Sequence, residues 1–174
     1  ARIEHAPATL ERELLGQPAH LGLLTGPGEG RTVHGIVRRI EAEGVLGDQG
    51  GRHGYRLWLA PRLWLAGRGK NSRIFQDLTV REIADRILDD WSLPRRWNLA
   101  QKHAPRVYCV QYQESDLTFL LRILADEGIF FHFEHPDDER AGEVIVFTDD
   151  AHLVGPIDGE PVLGLTLQEA VEKM

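Results

Sequence analysis

The chain has 174 residues, enough for one domain or two small ones around a sizeable core. Hydrophobic residues make up 42% and charged residues 27%, a soluble globular balance, and no apolar run approaches the length that spans a bilayer. The net charge is −7 and the basic residues are scattered, which argues against nucleic acid or an anionic membrane as the main partner, because phosphate contacts need clustered Lys and Arg.

Residues 1–18 are polar, with Leu10, Leu14 and Leu15 spaced for one helical turn before Gly16. "AHLGLL" (Ala19 to Leu24) is a predicted strand, and "TGPGEG" (Thr25 to Gly30) is a turn by its Gly and Pro content. "RTVHGIVRRIEAEG" (Arg31 to Gly44) then pairs back as a hairpin, with a flexible tip at Leu46 to Gly54. "YRLWLAPRLWLAG" (Tyr55 to Gly67) alternates over Tyr55, Leu57 and Leu59 and again over Leu63 and Leu65. Pro61 cannot donate to a ladder and marks an edge, a bulge or a strand end. These segments predict an antiparallel meander that curls into a small barrel-like module over residues 1–70. "RGKNSR" (Arg68 to Arg73), the densest basic patch, reads as a loop.

The period then changes. Thr79 with Glu82 three residues on forms a capping box. Behind it Val80, Ile83, Ala84, Ile87, Leu88 and Trp91 make one apolar helical stripe, stopped soon after by Pro94. A polar connection follows to Pro105. Val107 to Gln113 alternates as a strand. Ser115 is the expected N-cap of a helix from Asp116 to Glu127, with Asp116 set against the dipole and Gly128 at C′. Ile129 to Glu134 and Glu143 to Thr148 are further strands. The order implies an α+β fold, divided as residues 1–70, a helical connection 71–105, and a second β-rich module 106–174.

On the helix from Asp116, Leu117, Leu120, Leu121, Leu124 and Ala125 form one stripe, while Phe119 and Ile123 lie on roughly the opposite side. A surface helix of a monomer needs one apolar face. Either both faces are covered within the chain, or Phe119 and Ile123 are candidate interface residues. Leu120, Leu121, Leu124, Ile83 and Ile87 are the expected core.

Chemistry finds little support. His132 and Glu134 project to one face of a strand, with His135 adjacent, but a zinc site needs a third ligand, which His152 or Asp149 would supply only through folding. Neither H-E-x-x-H nor the deaminase pattern occurs. Cys109, the single cysteine, excludes an internal disulfide, fits a reducing compartment, and sits in an apolar strand as a small hydrophobe. No G-x-S-x-G elbow exists, and "GPGEG" lacks the G-K-[ST] of a phosphate cradle. Asp89–Asp90 and Asp149–Asp150 are adjacent pairs without the separation a glycosidase cleft needs. No catalytic, cofactor or metal residue is therefore assigned.

"NSRIFQDLTVREIADRILDDW" and "VYCVQYQESDLTFLLRILADEGIFFHFEH" carry a resemblance to a known family. The chain resembles the N-terminal part of the VgrG spike proteins of type VI secretion systems and, more loosely, the phage late-control protein D hub family, over roughly residues 12 to 155. Residues 48–54 depart from it as a longer, more polar tip. The family's first strands, second hub half, OB-like neck and β-helical needle have no counterpart. No basic-then-apolar leader opens the sequence, so no signal peptide is expected, and the abrupt ends "ARIEHAP" and "LTLQEAVEKM" lead us to expect a fragment. The resemblance implies a phage tail hub-like fold and a structural, non-enzymatic role in a homotrimer. That trimer would cap an Hcp-like hexameric tube, with baseplate proteins and effectors as further partners. It would be assembled in the bacterial cytoplasm and injected. A hub of a contractile phage or prophage is the alternative, and a fused enzyme a third reading without a site here.

Overall fold

The computed structural model describes residues 12–26, 29–46, 52–138 and 142–155. Leu10, most of the tip between Leu46 and Gly54, and part of the "GPGEG" turn lie outside them. Three strands open the fold: β1 (Pro18–Gly26), β2 (Glu29–Leu46) and β3 (Arg52–Ala60), antiparallel in that order. Among the described residues β1 and β3 are the edges of this sheet, and the expected closure into a barrel is not formed. The register of β2 on β3 shifts after Val37 and again after Ala42, as bulges do, and bends the long strand. Gly35 is required where β2 meets β3: a Cβ there would lie 2.6 Å from the Ala60 carbonyl oxygen.

Pro61 ends β3, but no strand follows. Arg62–Gly67 is a 3-10 helix, contrary to the alternating reading of Leu63 and Leu65. Its three-residue period puts Leu63 and Ala66 inward together. Arg38 and Arg68 lie over the Trp64 ring, 5.5 and 5.3 Å from its centroid.

The second half is an α/β unit. β4 (Asn71–Phe75) pairs antiparallel with β6 (Cys109–Glu114). β5 (Arg95–Asn98) runs parallel to β8 (Val144–Thr148), whose other edge takes β7 (Phe130–Glu134) antiparallel. Residues 71–105 hold, besides the helix, one strand of each of these sheets, β4 and β5. Val107 is 78% exposed and precedes the strand it was expected to begin.

The two helices, α1 (Val80–Asp90) and α2 (Asp116–Asp126), share one core cluster with residues of β4, β6 and β8. The α1 capping box is complete: Glu82 N–H donates to Thr79 Oγ1 at 3.2 Å, and Thr79 N–H to Glu82 Oε2 at 2.8 Å. Its stripe of Val80, Ile83, Ala84, Ile87 and Leu88 is wholly buried. The helix stops before Pro94, at Ser92 in the left-handed region (φ 50°), with Leu93 N–H donating to Leu88 O and Ser92 N–H to Asp89 O. That is the Schellman pattern. α2 ends the same way, with Gly128 at φ 69°, as the sequence predicts.

The facing of α2 differs from expectation. Phe119, Leu120, Ile123 and Leu124 are all buried, and Leu121 is 44% exposed. Phe119 and Ile123 are thus core residues of the single chain and no free interface strip. The apolar arc of α2 is wide enough to meet two neighbours. Phe119 stacks on Phe75 of β4, centroids 5.7 Å apart, while Leu117 packs against the 3-10 helix at Gly67. Leu121 sits at the edge of that arc and turns outward.

Candidate functional site

The residues singled out for chemistry are dispersed. His132 and Glu134 do share a face of β7, with His132 Nε2 3.9 Å from Glu134 Oε1. Arg96 holds that carboxylate through its guanidinium, however, which leaves it neutralised by an arginine. His135 turns away and accepts a hydrogen bond at Nδ1 from the His34 backbone N–H, 3.0 Å. His152 lies in an exposed 3-10 turn, its N–H donating to Asp150. Among the described residues, no group of three or more His, Cys, Asp or Glu is arranged to hold a metal ion. Cys109 is buried and faces Phe75 across the ribbon. The acid pairs are split between partners: Asp89 bonds Arg95 and Asp90 bonds Arg73.

Two polar clusters that sequence reasoning missed dominate the interior. The first centres on Asp116, buried at the first turn of α2. Its carboxylate accepts from Asn71 Nδ2 (2.9 Å), Gln111 Nε2 (2.8 Å), Trp91 Nε1 (3.0 Å) and both oxygens from Arg73 (3.1 and 3.0 Å). Burial opposes its charge, but the Gln111, Asn71 and Trp91 hydrogen bonds and the Arg73 charge outweigh it. They hold the carboxyl below the usual aspartate range. This one side chain joins β4, β6, the end of α1 and the start of α2.

The second cluster centres on His103, in the connection between β5 and β6. Its Nδ1 meets Glu127 Oε2 at 3.0 Å and its Nε2 meets Asp149 Oδ2 at 3.1 Å. Arg106 bonds Glu127 from the other side at 2.9 Å. Asp149 also accepts from the backbone N–H groups of Ala100 and Gln101. The hydrogen bond to Glu127, opposed by burial and aided by Asp149, raises the His103 pKa. With a carboxylate at each ring nitrogen, the imidazolium is the form that satisfies both. Asp149, a candidate metal ligand by sequence, is thereby a clamp on the loop before β6.

Charge is used here to join the elements of an α+β module. The chain belongs to the phage tail baseplate hub (GPD) family, which matches residues 2–173. It is similar to the type VI secretion system spike protein VgrG4b of Pseudomonas aeruginosa PAO1, 40% identical over 98% of this chain and 21% of that protein. VgrG5, another type VI secretion system spike protein of that organism, is 42% identical over 79% of this chain and 17% of itself. Among solved structures, the E. coli c3393 protein matches with a TM-score of 0.71 and 30% identity, over 85% of this chain and 39% of that one. That protein is described as a component of the type VI secretion system with structural similarity to the T4 bacteriophage tail proteins gp27 and gp5. The chain spans about a fifth of the length of the curated relatives it matches, 21% and 17%.

Proposed function

We propose that the chain is hub material of a spike in a contractile injection apparatus of the type VI secretion kind, and that it acts without catalysis. The observation that carries this reading is the 40% identity to a spike protein across 98% of the chain. The use of the interior polar groups as joints between elements agrees with it. On this reading the β1–β3 sheet and the α/β unit from Leu63 onward are two parts of one hub module, with the boundary at Pro61. Three copies assemble, cap a hexameric tube protein, and carry effectors out with it from the bacterial cytoplasm. No helix among the described residues is long and apolar enough to cross a membrane.

The test uses the full-length gene product. Light scattering is expected to give three times the chain mass, and deletion of the gene is expected to stop export of the tube protein. A monomeric product whose deletion leaves that export intact would sink the proposal.

A further inference from the structure

The β1–β3 sheet has its own buried residues, Ile36, Val37, Ile40 and Ala60. They do not belong to the core cluster of the α/β unit, which runs from Leu63 to Phe147. Beyond the 3-10 helix, the sheet meets that unit at a histidine contact. His34 N–H on β2 donates to His135 Nδ1 at 3.0 Å, just past the end of β7. His34 Nε2 lies 2.7 Å from the Pro136 carbonyl oxygen, to which it donates. The two rings stack, 6.0 Å apart and 23° from parallel, and His20 on β1 lies 6.1 Å from His34.

The chemistry of the first bond fixes a protonation state. A backbone N–H only donates, so His135 Nδ1 must accept, and the ring proton sits on Nε2. An imidazolium carries N–H on both nitrogens and cannot accept. We infer that His34 and His135 form a pH-sensitive latch that holds the β1–β3 sheet on the α/β unit while His135 is neutral and releases it when His135 is protonated.

Burial and the surrounding charges set the direction. His34 and Arg31 face His135 from β2, and His20 stands behind His34 on β1. Glu143, before β8, is the facing anion, and its carboxylate also accepts from the Arg62 N–H. Asp137 and Asp138 follow two and three residues along the chain. Burial, then His34, push the His135 pKa below its ordinary 6.5, aided by Arg31 and against Glu143. A base with a lowered folded pKa contributes stability that is complete above 6.5 and is lost as pH falls through the folded value.

The test is a nuclear magnetic resonance titration of the 174-residue chain from pH 7.5 to 5.0, following the His135 ring nitrogens and the His34 amide. The ring is expected to titrate below 6.5, with the His34 amide moving at the same midpoint. Hydrogen-exchange protection of that amide, corrected for intrinsic rate, is expected to fall at least tenfold at the acid end while α1 and β8 amides hold. In His135→Gln the side-chain oxygen still accepts and cannot titrate, so the His34 transition should vanish. A His135 midpoint at or above 6.5 in the unaltered chain overturns the latch, whatever the variant does. So does a His34 amide transition at the His135 midpoint of the unaltered chain that survives in His135→Gln.

Discussion

Asp116 shows how much one buried carboxylate can organise. Arg73, Asn71, Gln111 and Trp91 all donate to it, from positions up to 45 residues away in sequence. Removing it strands those donors, and breaking a buried pair from one side costs about 3–5 kcal/mol. Asp116→Ala is therefore expected to lower the unfolding free energy by that order, and an unchanged denaturation midpoint would show the network to be dispensable. His103 makes a pH-dependent contribution. Its pKa is raised, so its stabilisation is complete below the ordinary 6.5 and is lost as pH rises through the folded value. Amides of residues 99–106 are expected to lose exchange protection with rising pH. His103→Asn should abolish that trend, and a ring midpoint at or below 6.5 would contradict the assignment.

At the scale of elements, what is local was legible and what is tertiary was not. The α1 capping box and stripe lie within twelve residues and read directly from sequence. So does the Gly128 terminus of α2. The facing of α2 did not, because Leu117 through Ala125 is nearly all apolar and periodicity cannot choose among neighbouring strips. The pairing of β4 with β6 and β5 with β8 joins segments across intervening helices and leaves no short-range signal. Both clusters around Asp116 and His103 were hidden for the same reason, since their partners meet only through those pairings. The corrected facing makes a paired prediction. Leu124→Ala empties a fully packed site and is expected to cost about 2–5 kcal/mol. Leu121→Ala, at a site 44% exposed, should cost about 1 kcal/mol or less. Equal costs in chemical denaturation would mean that α2 is rotated from the position described.

For the whole molecule, the division of the core decides how the chain opens. Helices α1 and α2 and strands β4, β6 and β8 share one cluster that includes Phe75, Ile87, Phe119, Leu124 and Phe147, all buried. The β1–β3 sheet buries its few apolar residues separately and leaves Leu21, Leu23, Leu57 and Leu59 36% or more exposed. Apolar burial is the main favourable term in folding, so the part with less of it has less local stability. Sheet hydrogen bonds do not compensate, because water competes for them at an exposed sheet. The sheet is therefore expected to open sub-globally while the α/β unit stays closed. Native-state hydrogen exchange at pH 7.5, where the His135 contact is intact, is the measurement. Amides of β1 and β3 should exchange at an opening free energy below that of β8 and α2, and low denaturant should not bring the two sets together. If Leu124→Ala accelerates exchange in β8 and α2 but leaves β1 and β3 unchanged, the two parts open independently. Equal protection in both sets, shifting together in that variant, would make the chain one cooperative unit and remove the boundary at Pro61.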